Sequence, residues 1–473
     1  MPNRSAKNVA LLNADPRKSI PRLALPVMVT MIITSLYNVV DGIWIAGLGE
    51  SAISGIGLTT PLWMIITAVS NGLAHGATSA VSRHGNQDKP LAERTAEHAI
   101  VIFLVGAIIL TVVLLLVLYP YLNYFKVTGA TRQAANEYAV PLFLGLMGVT
   151  LMNGCAGLMR AEGDTQRPMY ACSLGLILNA CLDPVFIYWM GMGSAGASIS
   201  TVVTSWLSAA IMLYWMFVKK DTYYRVKLSG IVHPEWDRTI VLDILNTGIL
   251  ASIELIMMSV ASFLFYSFIR TLGGDYGVSV YSSGYRLYLL NLMPVSALSM
   301  ASVAIVGTWY GKGDIVNLRR THNYCCIYAT AIGLTVTLLV FLFSDHLARL
   351  FALTSDDANL ISGINEYIRI TAFCIPFLGV GLPSTFMYLG MGKAKYSLFW
   401  TVINELVCAV SATYLLGFVL NWGLYGIWWG FVLGRGIASI CNFIFSRFTI
   451  NRLIWIRKRT SLLLTILAIC CIF

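Results

Sequence analysis

The sequence predicts an all-α integral membrane protein: twelve transmembrane helices in two six-helix bundles related by a parallel repeat. Three observations carry this expectation. First, hydrophobic residues make up 57% of the 473 and charged residues only 11%, a balance far from that of soluble domains. Second, crossing a hydrocarbon layer takes about 20 helical residues, and twelve apolar runs of that order occur, at 20–47, 52–81, 98–119, 134–159, 168–190, 195–218, 239–269, 276–309, 321–344, 360–389, 396–420 and 423–446. Third, the chain is written twice. Leu48-Gly49 recurs as Leu272-Gly273, Gly85-x-x-Asp88 as Gly311-x-x-Asp314, Asn136-Glu137-Tyr138 as Asn365-Glu366-Tyr367, and Gly193-x-x-Gly196 as Gly423-x-x-Gly426.

The offset between copies drifts only from 224 to 230. Six spans per half is an even number, so both halves enter the membrane the same way round and are related by an axis along its normal, a transporter architecture with its site near the midplane. In that register Asp41 falls opposite Phe265 and Asp183 opposite Ala412. The scaffold is kept in both halves and the acids in one.

Charge placement sets the topology. Of the 32 Lys and Arg residues, 25 fall on segments that alternate to one side, including both termini, four on the other side, and Arg286, Arg369 and Arg435 within spans. The positive-inside rule puts both termini in the cytoplasm. The net charge of +10 then reflects topology and contact with anionic lipid, and predicts no nucleic-acid partner. Residues 1–19 are polar and precede a full-length span without an A-x-A-like site, predicting no cleaved signal peptide. None of the ten cysteines forms a Cys-x-x-Cys pair, and they read as packing residues.

Along the chain, 1–218 forms the first lobe, with the cation and substrate site, and 239–448 the second. Span 1 carries Pro26, which interrupts the hydrogen-bond ladder about four turns before Asp41 and reads equally as a static kink or as a hinge. Acidic side chains inside a span cost about 2.5–3.5 kcal/mol on insertion scales and mark function. Tyr37 and Asp41 are i,i+4 neighbours, and Thr34 and Asn38 extend their stripe, so one helix face presents hydroxyl, phenol, amide and carboxylate. In span 5, Asn179 and Asp183 again share a face, and Pro184 leaves the carbonyl of Ala180 without its usual donor. The plainer reading of Asp183 is a helix-ending Asp-Pro turn. Facing each other, the two carboxylates would repel and be poorly solvated, so the pair would hold a proton near neutral pH, with sodium competing for the same oxygens.

The linker, 219–238, reads as an amphipathic segment on the inner membrane surface, long enough to let the bundles rock. In the second lobe Glu254 is a lone acid, read as hydrogen-bonded to a neighbouring helix, as ion-paired with Arg286, Arg369 or Arg435, or as a second coupling site; Glu405 has the same arginines to hand. Glu366 repeats Glu137 and reads as scaffold. Residues 449–473 are a basic and then apolar tail whose last part, 461–473, is too short to span and reads as interfacial or disordered. Met28, Met31, Met64, Met257, Met258, Met293 and Met300 suit a compliant cavity. His75 and His322 read as isolated packing residues. No metal cluster, Walker motif or nucleophile constellation is evident, so the sequence predicts no enzyme, metal or cofactor beyond a coupling ion.

Leu25-Pro26, Tyr37-Asn38-x-x-Asp41-Gly42, Leu158-Met159-Arg160-Ala161-Glu162-Gly163-Asp164 and Asn179-x-x-x-Asp183-Pro184, set in six-plus-six parallel repeats, resemble the multidrug and toxic compound extrusion (MATE) transporters, prokaryotic branch related to DNA-damage-inducible protein F. The resemblance implies a cation-coupled exporter with a V-shaped pair of bundles and a cavity in the first lobe. It implies coupling at Asp41 and Asp183, with Asn179, Tyr138 and Thr201 in their hydrogen-bond network, and bending of span 1 at Pro26. Tyr37, Thr34 and Asn153 fall at its cavity-lining positions. Ala156, where a relative carries a second amide, Thr34, where a longer polar side chain is expected, and Glu254 depart from the pattern.

The expectation is a monomeric antiporter of a prokaryotic inner membrane, in contact with lipids, exporting amphipathic and often cationic compounds in exchange for protons or sodium. Its rivals are a flippase for lipid-linked oligosaccharide, needing a basic cavity built from Arg286, Arg369 and Arg435, and a membrane-embedded enzyme or scaffold.

Overall fold

In lipid every backbone polar group must find its partner within the chain, which leaves helices as the open form of a span. The computed structural model describes residues 4–85, 88–232, 236–351 and 358–470, nearly all helical, with no strand among them. Helix α1 (Arg4–Leu12) precedes span 1, α2 (Pro16–Ala46), which is capped by the Asp15 side chain accepting from the Arg17 N–H at 3.0 Å. Spans 2 and 3 are α3 (Glu50–His84) and α4 (Lys89–Tyr124). Span 4 is a pair, α5 (Gly129–Leu144) and α6 (Leu146–Ala161), bent by 49°. Spans 5 and 6 are α7 (Gln166–Pro184) and α8 (Gly193–Leu213), running on through wider turns at Val185–Trp189 and Tyr214–Val218. The short α9 (Leu228–Val232) lies in the linker.

Spans 7 and 8 share the 74-residue stretch α10 (Arg238–Gly311), divided at Gly274, whose φ of 54° and ψ of −146° lie in a region essentially reserved for glycine. Span 9 is α11 (Ile315–Phe351), and span 10 the pair α12 (Ala358–Ala372) and α13 (Cys374–Gly390), bent by 44°. Span 11 runs from α14 (Ala394–Val402) through α15 (Ser411–Tyr414) to Val419, and span 12 is α16 (Gly423–Cys470). The helix of span 12 thus continues into the region read as an interfacial or disordered tail; 471–473 lie outside the described residues.

The duplication is visible in backbone detail. The bends of spans 4 and 10 fall at Gly145 and Phe373. The wide turns ending spans 5 and 11 repeat atom for atom: Met190 N–H donates to Val185 O at 2.8 Å and Leu420 N–H to Leu415 O at 2.9 Å, then Met192 to Phe186 at 3.1 Å and Trp422 to Leu416 at 3.2 Å. Span 5 therefore runs on past Asp183-Pro184, which corrects the reading of that dipeptide as a helix end.

The bundles meet on the side of the linker and part on the far side. Every buried residue of span 1 lies at or before Val27, while Leu36, Val39 and Ile43 beyond it are exposed. The linker-side half of span 1 packs into the second bundle: Leu12, Ile20, Leu23 and Ala24 belong to the same apolar cluster as Phe265, Leu298 and Tyr367. Arg17 Nε donates to the Tyr324 hydroxyl at 2.5 Å and Lys312 Nζ to Asn13 Oδ1 at 2.6 Å. Span 1 is a strut that begins on one bundle and ends in the other.

The linker is not a loose surface segment. Glu162 Oε2 accepts from the N–H of Tyr223 at 2.7 Å, Glu93 Oε1 from Arg225 at 3.0 Å and Glu97 Oε1 from Lys227 at 2.9 Å. Arg167 pairs with Asp221 at 2.7 Å, and His98 Nε2 takes the N–H of Asp237 at 3.2 Å. The linker is strapped to the first bundle, and the freedom expected of its whole length contracts; His233, Pro234 and Glu235 lie outside the described residues.

Candidate functional site

The polar stripe of span 1 turns inward in the far half of the first bundle. Thr30 and Thr34 spend their hydroxyl protons on backbone carbonyls one turn earlier, Pro26 O at 3.0 Å and Thr30 O at 2.8 Å, which lets polar side chains sit in a span at little cost. Beyond them Tyr37 reaches Thr201 Oγ1 on span 6 at 3.5 Å, and Asp41 stands within electrostatic range of Asp183 on span 5.

Span 6 supplies the other wall with a run of small hydroxyls. Asn179 Nδ2 lies 3.3 Å from Ser200 Oγ, 3.4 Å from Thr201 Oγ1 and 3.3 Å from Thr204 Oγ1. Ser200 donates to Asp183 Oδ1. Asp183 is fully buried, its Oδ2 has no hydrogen-bond donor among the protein groups, and the same holds for Asn179 Oδ1. Tyr138 on span 4 stands within electrostatic range of both acids. The arrangement gathers two neighbouring carboxyl groups, an unpartnered carboxylate oxygen and an unpartnered amide oxygen, all hard ligands.

Next to the acids lies a cavity of about 610 Å3 lined by Thr34, Tyr37 and Asn38 from span 1, Asn153 from span 4, Asn179 from span 5 and Thr201 from span 6. Among the described residues no charged side chain lines it. Leu289, Leu292, Met293 and Ser296 of span 8 close one wall, so the second bundle contributes to a cavity expected in the first lobe alone. Of the methionines singled out, Met31 and Met293 line it, and Met28, Met64, Met257, Met258 and Met300 do not.

The remaining expectations divide. Pro26 lies inside an unbroken helix, at the boundary between the docked and the free halves of span 1. Arg435 and Glu405 form a buried ion pair, completed by Arg435 Nη1 donating to Tyr288 at 2.7 Å. Arg369 bonds Ser344 Oγ at 2.7 Å and lies 3.7 Å from Asp345. Arg286 is exposed. Glu254 is buried against Ser397 rather than any arginine, with Oε1 unpartnered, so the structure does not join Glu254 and Arg286 into one site. His75 packs edge-on to Phe386, and His322 is not isolated: its Nε2 lies 3.0 Å from Ser384 Oγ and 3.3 Å from Ser446 Oγ. Sequence reasoning missed Thr67 and Asn71 of span 2, Ser205 and Ser208 of span 6 and Ser296 of span 8.

Two parallel six-helix bundles, parted on one side around a neutral polar cavity with an acid pair at its edge, define a multi-pass membrane transporter. The chain belongs to the MatE family, whose model matches residues 26–185 and 251–415, one stretch in each half. It is 24% identical over 439 residues to a probable multidrug resistance protein NorM from Thermotoga maritima, with 91% of this chain and 92% of that protein covered. A multidrug resistance MATE family transporter of the MOP superfamily, solved in an outward-facing conformation, is 33% identical, with a TM-score of 0.91 and 94% of this chain and 98% of that chain covered. A MATE structure in a bent conformation is 34% identical, with a TM-score of 0.88 and 96% and 99% covered.

Proposed function

We propose that the protein exports amphipathic organic compounds, many of them cationic, in exchange for a cation taken up at Asp41 and Asp183, across the inner membrane of a prokaryote with the linker side in the cytoplasm. The observation that carries this reading is a buried, half-partnered Asp183 carboxyl with Asp41 in electrostatic range, beside a cavity of drug-like size. Two neighbouring acids of like charge in a poorly solvated site favour a shared proton, and sodium is the competing occupant. The multidrug resistance names of its relatives support the substrate class, and the Lys and Arg distribution supports the sidedness.

Entry of the ion neutralises the pair and removes its need for the Ser200, Asn179 and Thr201 dipoles. The free half of span 1 then moves relative to the docked half, with Pro26 as the joint, and the cavity wall made by Thr34, Tyr37 and Asn38 moves with it. Efflux of ethidium from vesicles under separately imposed proton and sodium gradients tests the reading. Transport that follows one gradient and is lost in Asp41→Asn supports it; transport unaffected by that substitution ends it. A lipid flippase needs a basic cavity, and the arginines it would use lie elsewhere: Arg435 and Arg369 are paired, and none of the three lines the cavity.

A further inference from the structure

We propose that Arg83 and Asp243 are the gate that keeps the linker side of the transporter closed. Arg83 ends span 2, in the first bundle, and Asp243 lies at the start of span 7, in the second. One guanidinium nitrogen, Nη2, sits 2.7 Å from both Asp243 oxygens. The other, Nη1, donates to Ser79, whose hydroxyl in turn donates to the carbonyl of Leu389 at the end of span 10. Gly390 O lies 3.5 Å from Nη1, and His84 Nε2 stands 3.6 Å from Asp243.

Arg83 is thus the point where three segments of the second bundle converge. A Cβ added at Gly311 would lie 2.2 Å from its carbonyl oxygen, and one at Gly392 2.4 Å from its guanidinium. Its residue exposure is 7%, and the side chain of Asp243 is 32% exposed.

Deeper in the seam the same pair of helices is held by shape alone. Span 2 presents Gly72 and Gly76 to Gly248 and Ser252 of span 7, with Cβ positions only 2.5–2.6 Å from the Ile244 and Gly248 carbonyl oxygens. Residues 72, 76, 79 and 83 form one helical stripe. Small residues let backbones approach closely but supply no directional lock; the charge pair does, and only in the register seen. The second linker-side seam, between span 1 and the second bundle, has Ile20, Leu23 and Ala24 in the shared core and hydrogen bonds such as Arg17 to Tyr324 at its end, but no ion pair among the described residues. The charged seam is therefore the one whose opening has an electrostatic threshold, and the cavity cannot face the linker side until Arg83 and Asp243 separate.

This inference rests on alternating access and is independent of which ion couples. Its reporter is native: Cys172 lines the cavity. In full-length protein whose other cysteines are replaced by alanine, a membrane-impermeant maleimide is applied from the linker side of oriented vesicles, and Cys172 labelling is timed without substrate or gradient. Arg83→Gln and Asp243→Asn should each speed labelling about fivefold or more, the scale of an ordinary two-state coupling. The exchanged pair Arg83→Asp with Asp243→Arg should return the rate toward the parent. Asp243→Asn preserves shape and guards against misfolding as the cause. Parent-like labelling in both single variants overturns the proposal, as does an exchanged pair that labels as fast as the singles.

Discussion

Asp183 on span 5 is fully buried with Ser200 donating to its Oδ1, Asp41 on span 1 stands within electrostatic range of it, and its Oδ2 has no donor among the described residues. A buried oxygen with no donor is costly, and in the proposed function a cation held by the two acids relieves that cost. Neutralising either acid should remove the cation without disturbing the fold. Asp41→Asn and Asp183→Asn should each lower gradient-driven efflux by about tenfold or more, about 1.4 kcal/mol or more of lost coupling. Equilibrium binding of ethidium to the purified variants should persist. Efflux at the wild-type rate in either variant contradicts the assignment.

Pro26 divides span 1 into a half packed on the second bundle and a half that carries Asp41. Alanine there restores a backbone donor toward the carbonyl of Arg22 and relieves up to about 3 kcal/mol of proline penalty. Pro26→Ala should leave the melting temperature in detergent unchanged or higher while efflux falls by about fivefold or more. Normal efflux would show that span 1 moves as a rigid rod.

Glu405 and Arg435 are both buried and bonded to each other, with Tyr288 taking a further guanidinium proton. Removing one partner strands the other's charge, at about 3–5 kcal/mol. Glu405→Gln should therefore lower stability by that order in denaturant unfolding. The double replacement by Met at 405 and Leu at 435 should cost less than the single one, and the reverse ranking would contradict a purely structural role.

Glu162 lies just past the end of span 4, where it takes the backbone N–H groups of Tyr223 and Tyr224. Burial pushes its carboxyl up to about 8, against those two hydrogen bonds, which pull it down. A raised folded-state value means the folded chain binds more protons than the unfolded chain across the window from the ordinary 4.5 to about 8. Stability should be full below that window and fall as pH rises through it. Glu162→Gln should flatten the decline in melting temperature; an unchanged slope would locate it elsewhere.

The repeat, the spans and the acid pair were legible because each leaves a local mark: recurring dipeptides, lengths near 20 residues, and charges where charge is expensive. What stayed hidden leaves none. Ile20, Leu23 and Ala24 read the same whether they face lipid or another bundle, so the docking of half of span 1 could not be seen. The bend at Gly145 has a glycine and its counterpart at Phe373 has Pro376, whose missing N–H leaves the Ala372 carbonyl to Thr337, but only the packed structure reveals that the helix bends there and does not end. Asn71, Ser205 and Ser208 are ordinary small polar residues of membrane helices until the cavity gathers them. Glu93 and Glu97 fall between the apolar runs 52–81 and 98–119 with no mark of their own, and the structure makes them the clasps of the linker.

The central claim is that one cation site, shared by Asp41 and Asp183, is emptied when substrate occupies the neighbouring cavity. The most direct test is to add ethidium to purified protein in weakly buffered detergent solution and measure the protons released. The account predicts about one proton per bound ethidium for the wild type and none for Asp41→Asn with binding intact. Binding without proton release in the wild type would contradict protonic coupling at this pair.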